Sequence, residues 1–441
     1  MALFVLQAAW IACSGRYPMA FDEDFHLGII RLYAHHLSPF FAGQPPGADA
    51  FGAVARDPSY LYQYLMSFPY RLISALTSDQ TIQVLFLRAI NVGLFAWGLA
   101  LYRRLLLRTG AGRAVTHAVL LVFVLIPVVP LLAAQINYDN LLLSLVALAL
   151  LWTVDVNAAL RRGRRLEGRK LLQLSILCLL ASVVKYAFLP VFAAIVLYLG
   201  LQCIRTFDGW HAFRSALTNA WQRLGRRTGW SLVAGLLLAC VLFGQRYGVN
   251  VVRYHSPIPD CSKVLSVKAC SAYGPWARNY HYTLLKAAPT HNPLTFAADW
   301  FYGMWLRLFF AVDGPGTNFQ TRGPLLIPAI SALVFTGVGV LSLLVYGRRV
   351  WRRYDASVLT LLFGMALVYM AALWLDEFHD YVHTGQPVAI NGRYLLPVLL
   401  PLLLASALAI NEWCRERIWL KPLISSVAVL SLVWGGGALT Y

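Results

Sequence analysis

Residues 139–170 read DNLLLSLVALALLWTVDVNAALRRGRRLEGRK. The part 139–156 is apolar for about the length an α-helix needs to cross the hydrocarbon core of a bilayer. A link carrying Arg161, Arg162, Arg164, Arg165, Arg169 and Lys170 closes it. The same alternation of apolar block and short charged link recurs along the chain. Of the 441 residues 59% are hydrophobic and 13% charged, about half the charged share of a soluble domain. A soluble fold cannot hide that much apolar surface, so the sequence predicts one polytopic, all-α membrane domain over 1–441.

Eleven spans are predicted, near 1–13, 82–102, 114–134, 139–156, 171–184, 186–204, 230–247, 324–346, 356–375, 394–411 and 422–438. The first begins at Met1 with no basic residue ahead of it, and is expected as a retained span and not a cleaved signal. The formal net charge of +18 would suit a nucleic-acid binder, but its distribution argues otherwise. With a cytoplasmic amino terminus, every second link is basic: Arg103, Arg104, Arg108 and Arg113; the 161–170 run; Arg205, Arg214, Arg223, Arg226 and Arg227; Arg348, Arg349, Arg352 and Arg353; and Arg415, Arg417 and Lys421. That is the positive-inside bias, with anionic membrane lipid as the expected partner and no nucleic acid.

Two segments on the opposite side are long, 14–81 and 248–323. Each holds an aromatic stretch too polar to span, Pro58 to Tyr70 and Trp300 to Phe310. These stretches read as interfacial helices, either simple anchors or walls of a groove for a long-chain lipid. Cys261 and Cys270 lie in the second segment, where an oxidising compartment would pair them. Neither a GxGxxG fingerprint nor a P-loop stands in a strand-turn-helix setting, which disfavours ATP-driven transport within one chain.

Polar residues that could carry chemistry gather on the outer side. Asp22, Glu23 and Asp24 follow the first span, with His26 on the same helical face as Asp22. A carboxylate beside the bilayer and near a like charge suits general-base work, while the plain reading is an acidic turn at a helix start. Asp139 lies in the turn Asn137-Tyr138-Asp139-Asn140, Lys185 between the fifth and sixth spans, and Arg393 in Asn391-Gly392-Arg393-Tyr394. Arg88, with Asn91, lies inside the second span, where a charge is a functional candidate by default. Lys185, Arg393 and Arg88 are the candidates for holding a phosphate, with Tyr60 and Tyr394 as supporting aromatics. His379 and His383 share a helical face and, with Asp22 and Asp24, are weak candidates for a divalent cation.

An acidic pair after the first span, an aromatic amphipathic stretch, an acid in the second outer turn and a Lys in the third together resemble the GT-C superfamily of polytopic glycosyltransferases. Gly392-Arg393-Tyr394-Leu395-Leu396-Pro397 is similar to the GRY…P element of bacterial GT-C-like membrane proteins. The resemblance implies a polyprenyl-phosphate sugar donor, a glycan, lipid or protein acceptor, and inverting transfer on the periplasmic or exterior face of a bacterial plasma membrane, in cell-envelope polysaccharide synthesis. It also implies roles: Asp22 as base or metal holder, Glu23 in support, Asp139 as the second-loop acid and Lys185 near the donor phosphate. Asp24 departs from the pattern and leaves open which carboxylate is the base. Two other readings stand beside it, a glycan polymerase or ligase using a lipid-linked oligosaccharide, and a polytopic transporter.

Overall fold

The computed structural model describes residues 1–163, 165–285, 292–309, 326–417 and 419–433. Arg164, residues 286–291 and 310–323 of the second long segment (Phe310 among them), 324 and 325 of the expected span after it, and 434–438 of the expected last span lie outside the described residues. The described chain is helical, without a strand among those residues, and is membrane-embedded.

Seven helices are long and apolar enough to cross a bilayer: α1 Gln80–Leu107, α2 Tyr138–Gly163, α3 Tyr186–Thr206, α4 Arg226–Tyr254, α5 Leu333–Arg353, α6 Ala356–Thr384 and α7 Gly392–Trp413. The expected count of eleven is therefore corrected to seven among the described residues. The other four expected spans fall outside that set as described, the last of them continuing beyond the described residues. Ala2–Ser14 and Leu420–Leu432 have 13 residues each, about 20 Å at 1.5 Å per residue, against roughly 30 Å of hydrocarbon. Gly168–Val184 has 17 residues. The 114–134 block breaks into Arg113–Leu125 and Val128–Ala133, because Pro127 supplies no N–H to continue the ladder.

The chain divides into two compact units. Unit 1 comprises 1–28, 69–144 and 278–441; unit 2 comprises 29–68 and 145–277.

In unit 1, Asp79 caps α1 by accepting from Thr81 N at 2.7 Å. Small residues let helices approach closely: a Cβ on Gly98 of α1 would lie 2.9 Å from Ser144 Oγ of α2, and one on Gly339 of α5 would lie 2.9 Å from Ser406 Oγ of α7. At one end of the unit Asp355 N donates to Thr109 O at 2.9 Å, while Glu412 accepts from Arg353 (3.1 Å) and Tyr354 Oη (3.2 Å). The basic links around Arg108, Arg353 and Arg415 meet there. Asn91 of α1 and Asn137 beside α2 meet at the other end, so the broken pair Arg113–Leu125 and Val128–Ala133 carries the chain back between them.

In unit 2, the helix Gly168–Val184 and α4 run side by side and parallel, Gly235 close to Ile176 and Tyr247 Oη donating to Ser182 O at 2.6 Å. The helix Trp210–Gln222 buries Ala220 against Leu160 and Leu166, with Phe213 and Ala216 packed beside them. A disulfide joins Cys261 and Cys270. Ahead of it Asp260 accepts from Ser262 N (2.9 Å), from the Ser262 hydroxyl and from Trp276 Nε1 (3.0 Å).

The two aromatic stretches form helices, Leu61–Leu76 and Pro293–Phe309. The first exposes Leu65, Phe68, Leu72 and Leu76 along one face, which suits an interfacial position. The second departs from the expectation of a flat anchor. Phe301 and Tyr302 are exposed, but Phe296, Trp300 and Met304 pack against Ile390 in a buried cluster with Trp374 and Phe378.

Candidate functional site

The acidic loop begins where Ala2–Ser14 ends. Gly15 has room only for hydrogen at its Cα, since a Cβ would meet Met19 Sδ at 2.7 Å. Phe21 and Asp22 then take left-handed backbone conformations in succession, φ 60° and 66°. Such conformations are costly for residues other than Gly, especially bulky ones, and persist only where the surroundings enforce them.

Glu23 provides that enforcement. Its side chain is fully buried and accepts from Arg88 Nε (2.8 Å), Arg88 Nη2 (2.7 Å), Met19 N (2.8 Å) and Ile136 N (3.2 Å). Arg88 turns its other terminal nitrogen to Ala12 O (2.8 Å) and Gly15 O (2.7 Å). Four of its five N–H groups are thereby used on the loop itself. Arg88, expected as a phosphate holder, and Glu23, expected in the catalytic group, here fasten each other and the chain around them, with most of their hydrogen-bonding capacity spent internally. Asn137 Nδ2 holds Phe21 O at 2.8 Å, completing the clamp.

The clamp leaves Asp22 facing outward, its side chain 53% exposed, with Oδ2 2.6 Å from Arg393 Nη2. Arg393 lies in the 3-10 turn Gly392–Leu395 that opens α7, where Asn391 Oδ1 accepts from its N–H at 3.1 Å. The turn lies so close to Pro293–Phe309 that a Cβ on Gly392 would fall 2.7 Å from Met304 O. Arg393 is 6% exposed, its guanidinium 5.1 Å from the Phe21 ring and 5.2 Å from that of Tyr394. Its Nε and Nη1, both buried, have no hydrogen-bond partner among the described residues. Buried donors normally find acceptors, and leaving one unpaired costs roughly 1–3 kcal/mol. The structure therefore holds three N–H donors of a fixed cation next to a half-exposed carboxylate.

Asp139 lies in the first turn of α2, buried, and Arg393 feels its charge together with that of Asp22. Asn137, Asn140 and Asn91 hold that turn: Asn137 Oδ1 accepts from Asp139 N (2.9 Å), and Asn91 Oδ1 accepts from Asn140 Nδ2 (3.1 Å). His26 is buried with its ring 4.4 Å from that of Tyr138. Tyr394 O accepts from Tyr369 Oη at 2.9 Å. Asp24 is exposed.

Lys185 and Tyr60 belong to unit 2. Lys185 is buried at the end of Gly168–Val184, and the next residue, Tyr186, donates its N–H to Ser59 Oγ at 3.0 Å. Tyr60 lies under Arg246, 4.6 Å from guanidinium to ring, and donates to Leu242 O at 3.3 Å. Arg246 itself is not singled out by the sequence patterns, although a charge within an apolar helix is the signal that would have found it. It occupies a π-helical turn of α4, Gly244–Gly248, and donates to Ala55 O and Pro39 O (3.3 Å). Burial raises the nearby Asp57 carboxyl above its usual range, against the opposing Ser59 N–H and Arg246 charge.

No group of three or more His, Cys, Asp or Glu that could hold a metal occurs among the described residues. His379 and His383 do stack, rings 4.1 Å apart, but His383 Nδ1 lies against His379 O at 2.8 Å. Asp22 has a guanidinium as its neighbour. The donor sets found at these places do not fit a resident cation. Glu377, in the same stretch, turns inward and accepts from Trp300 Nε1. No protein-family model matches the chain, and no curated protein matches it.

Proposed function

We propose that the protein is a membrane glycosyltransferase of the GT-C kind, moving a sugar from a polyprenyl-phosphate donor to an acceptor hydroxyl with inversion. The observation that carries this reading is Arg393: a buried guanidinium with three unused N–H donors, 2.6 Å from the half-exposed Asp22. A phosphate oxygen offers the acceptors those donors lack, and Arg suits bidentate contact with it.

In this reading Asp22 takes the acceptor hydroxyl proton as the new C–O bond forms at the anomeric carbon. The bond from that carbon to the phosphate oxygen breaks, and its electron pair leaves with the polyprenyl phosphate. Arg393 stabilises the charge gathering there. While Arg393 is shared with the phosphate, its hold on Asp22 loosens as the acceptor arrives. Asp139, whose charge Arg393 also feels, helps to hold the guanidinium at this place. The non-cytoplasmic placement draws support from charge: Arg88, beside the acidic loop, and Arg108, in a basic link, are separated along α1 by about 30 Å, the thickness of the hydrocarbon core.

The test is transfer from a synthetic polyprenyl-phosphate sugar by the purified protein in liposomes. Asp22→Asn is expected to lower turnover by roughly 10²–10⁴-fold with unchanged folding. Near-normal transfer by that variant, or substrate uptake without covalent transfer by the wild type, removes the assignment, and the latter favours a transporter.

A further inference from the structure

Unit 2 contains a cavity of about 820 Å³ far along the sequence from the acidic loop. It opens where α2 ends, where the helix Gly168–Val184 and α4 begin, and where Trp210–Gln222 ends. Arg162, Arg165, Arg169 and Arg223 line it against a single acid, Glu167, and all four arginines are exposed. Glu167 is engaged by Lys170 at 3.3 Å, which Asp155 also approaches at 3.8 Å. Among the described residues, none of the four arginines has a carboxylate within ion-pair distance. Two long helices also start at this cavity, with Glu167 and Gly225 as N-cap residues, and neither has a side-chain cap. Their first-turn N–H groups add to the positive field.

The rim supplies the second observation. The helix Trp210–Gln222 packs Phe213, Ala216 and Ala220 inward but leaves Trp210, Leu217 and Trp221 exposed on an adjacent face. Trp230, in the second turn of α4, is exposed as well. Tryptophans presented in this way beside basic residues mark the headgroup level of a bilayer. Trp221 lies between the lining residues Ala220 and Arg223, and Trp230 two residues after Thr228. A basic cavity with exposed tryptophans near it in the chain matches a molecule with an anionic head and an apolar body.

We propose that this cavity seats the phosphate of an anionic phospholipid, its acyl chains running along the Trp210–Trp221 face. The proposal is independent of the sugar-transfer reading, because it uses none of the residues of the acidic loop. The lipid would hold the ends of four helices together at the basic side of unit 2, acting as a structural ligand.

Native mass spectrometry of the delipidated full-length protein tests it, with phosphatidylglycerol, phosphatidylcholine and inorganic phosphate as separate probes. The expected result is one-to-one retention of phosphatidylglycerol but not phosphatidylcholine. Arg165→Gln, Arg169→Gln and Arg223→Gln combined should weaken retention on the order of 100-fold, from the loss of three cations at the lipid surface. Arg348→Gln, Arg349→Gln and Arg352→Gln combined, in a different basic link, should leave it unchanged. Equal losses in the two triple variants would mean general surface charge and overturn the site. Displacement of the lipid by millimolar inorganic phosphate would make the ligand a soluble anion and overturn the lipid assignment. A photoreactive phosphatidylglycerol should crosslink to the peptide bearing Trp221 in the unmodified protein, a readout that needs no variant; labelling elsewhere only would also overturn it.

Discussion

Arg88 and Arg393 are both buried arginines of unit 1, and their donors meet opposite fates. Arg88 spends four of its five donors on Glu23 and two carbonyls, whereas Arg393 keeps Nε and Nη1 unused. Arg88→Met should therefore abolish stable folding, since an uncompensated buried Glu23 costs about 3–5 kcal/mol. Adding Glu23→Gln should recover part of the loss, measured by thermal unfolding in detergent. Arg393→Gln should leave the unfolding temperature near that of the wild type and remove donor binding, read by retention of a polyprenyl-phosphate sugar. In the sequence the two arginines look alike, each a charge near an apolar segment. What separates them is the pairing of Glu23 with a helix that begins far downstream, and no local pattern encodes that partner. Asp22 and Arg393 were both legible as candidates, but their contact was not, for the same reason.

At the scale of elements, the turn bearing Arg393 depends on Gly392, whose Cα approaches Met304 and Leu308 more closely than any Cβ permits. Gly392→Ala should push that turn off Pro293–Phe309 and reduce transfer more than it reduces expression, compared by activity per folded molecule. The disulfide segment makes a separate prediction through Asp260. Its partial burial alone would raise the carboxyl, but the Ser262 hydroxyl and N–H and the Trp276 indole outweigh that and hold it below the usual range. A lowered carboxyl stabilises the fold above its unfolded value of about 3.9, and that stabilisation is lost as pH falls through the folded value. Asp260→Asn should thus make the segment more sensitive to proteolysis at neutral pH, with the gap to wild type closing as pH falls below the unfolded carboxyl value of about 3.9. The apolar blocks revealed helices well, because burial in lipid needs only composition. Their continuity was less legible: Pro127 cuts one block in two, and Trp300 leaves the interface because Ile390 and Trp374 offer it a dry partner.

For the whole molecule, composition was sufficient to show a membrane protein, and the links disclosed a charge asymmetry. In unit 1 the acidic loop and the basic links lie toward opposite ends of α1. In a Cys13→Ser background, a membrane-impermeant thiol reagent should label Asp24→Cys in intact cells and Arg349→Cys only after permeabilisation. The reverse pattern would place the acidic loop in the cytoplasm and remove the lipid-linked donor from reach. The division into two units was hidden, because the segment 29–68 joins 145–277 through contacts such as those of Arg246 with Ala55 and Pro39, which sequence spacing does not announce.

The left-handed pair Phe21-Asp22 decides which substitutions are interpretable. Asp and Asn tolerate that backbone region, so exchanging them at 22 changes acidity while keeping the chain path. Alanine there would alter both at once. At 21 the choice runs the other way: glycine would ease the backbone but delete the ring lying 5.1 Å from Arg393. A randomised library at position 21, selected for activity, should accordingly return flat side chains over small ones, and one at 22 should return a single acid.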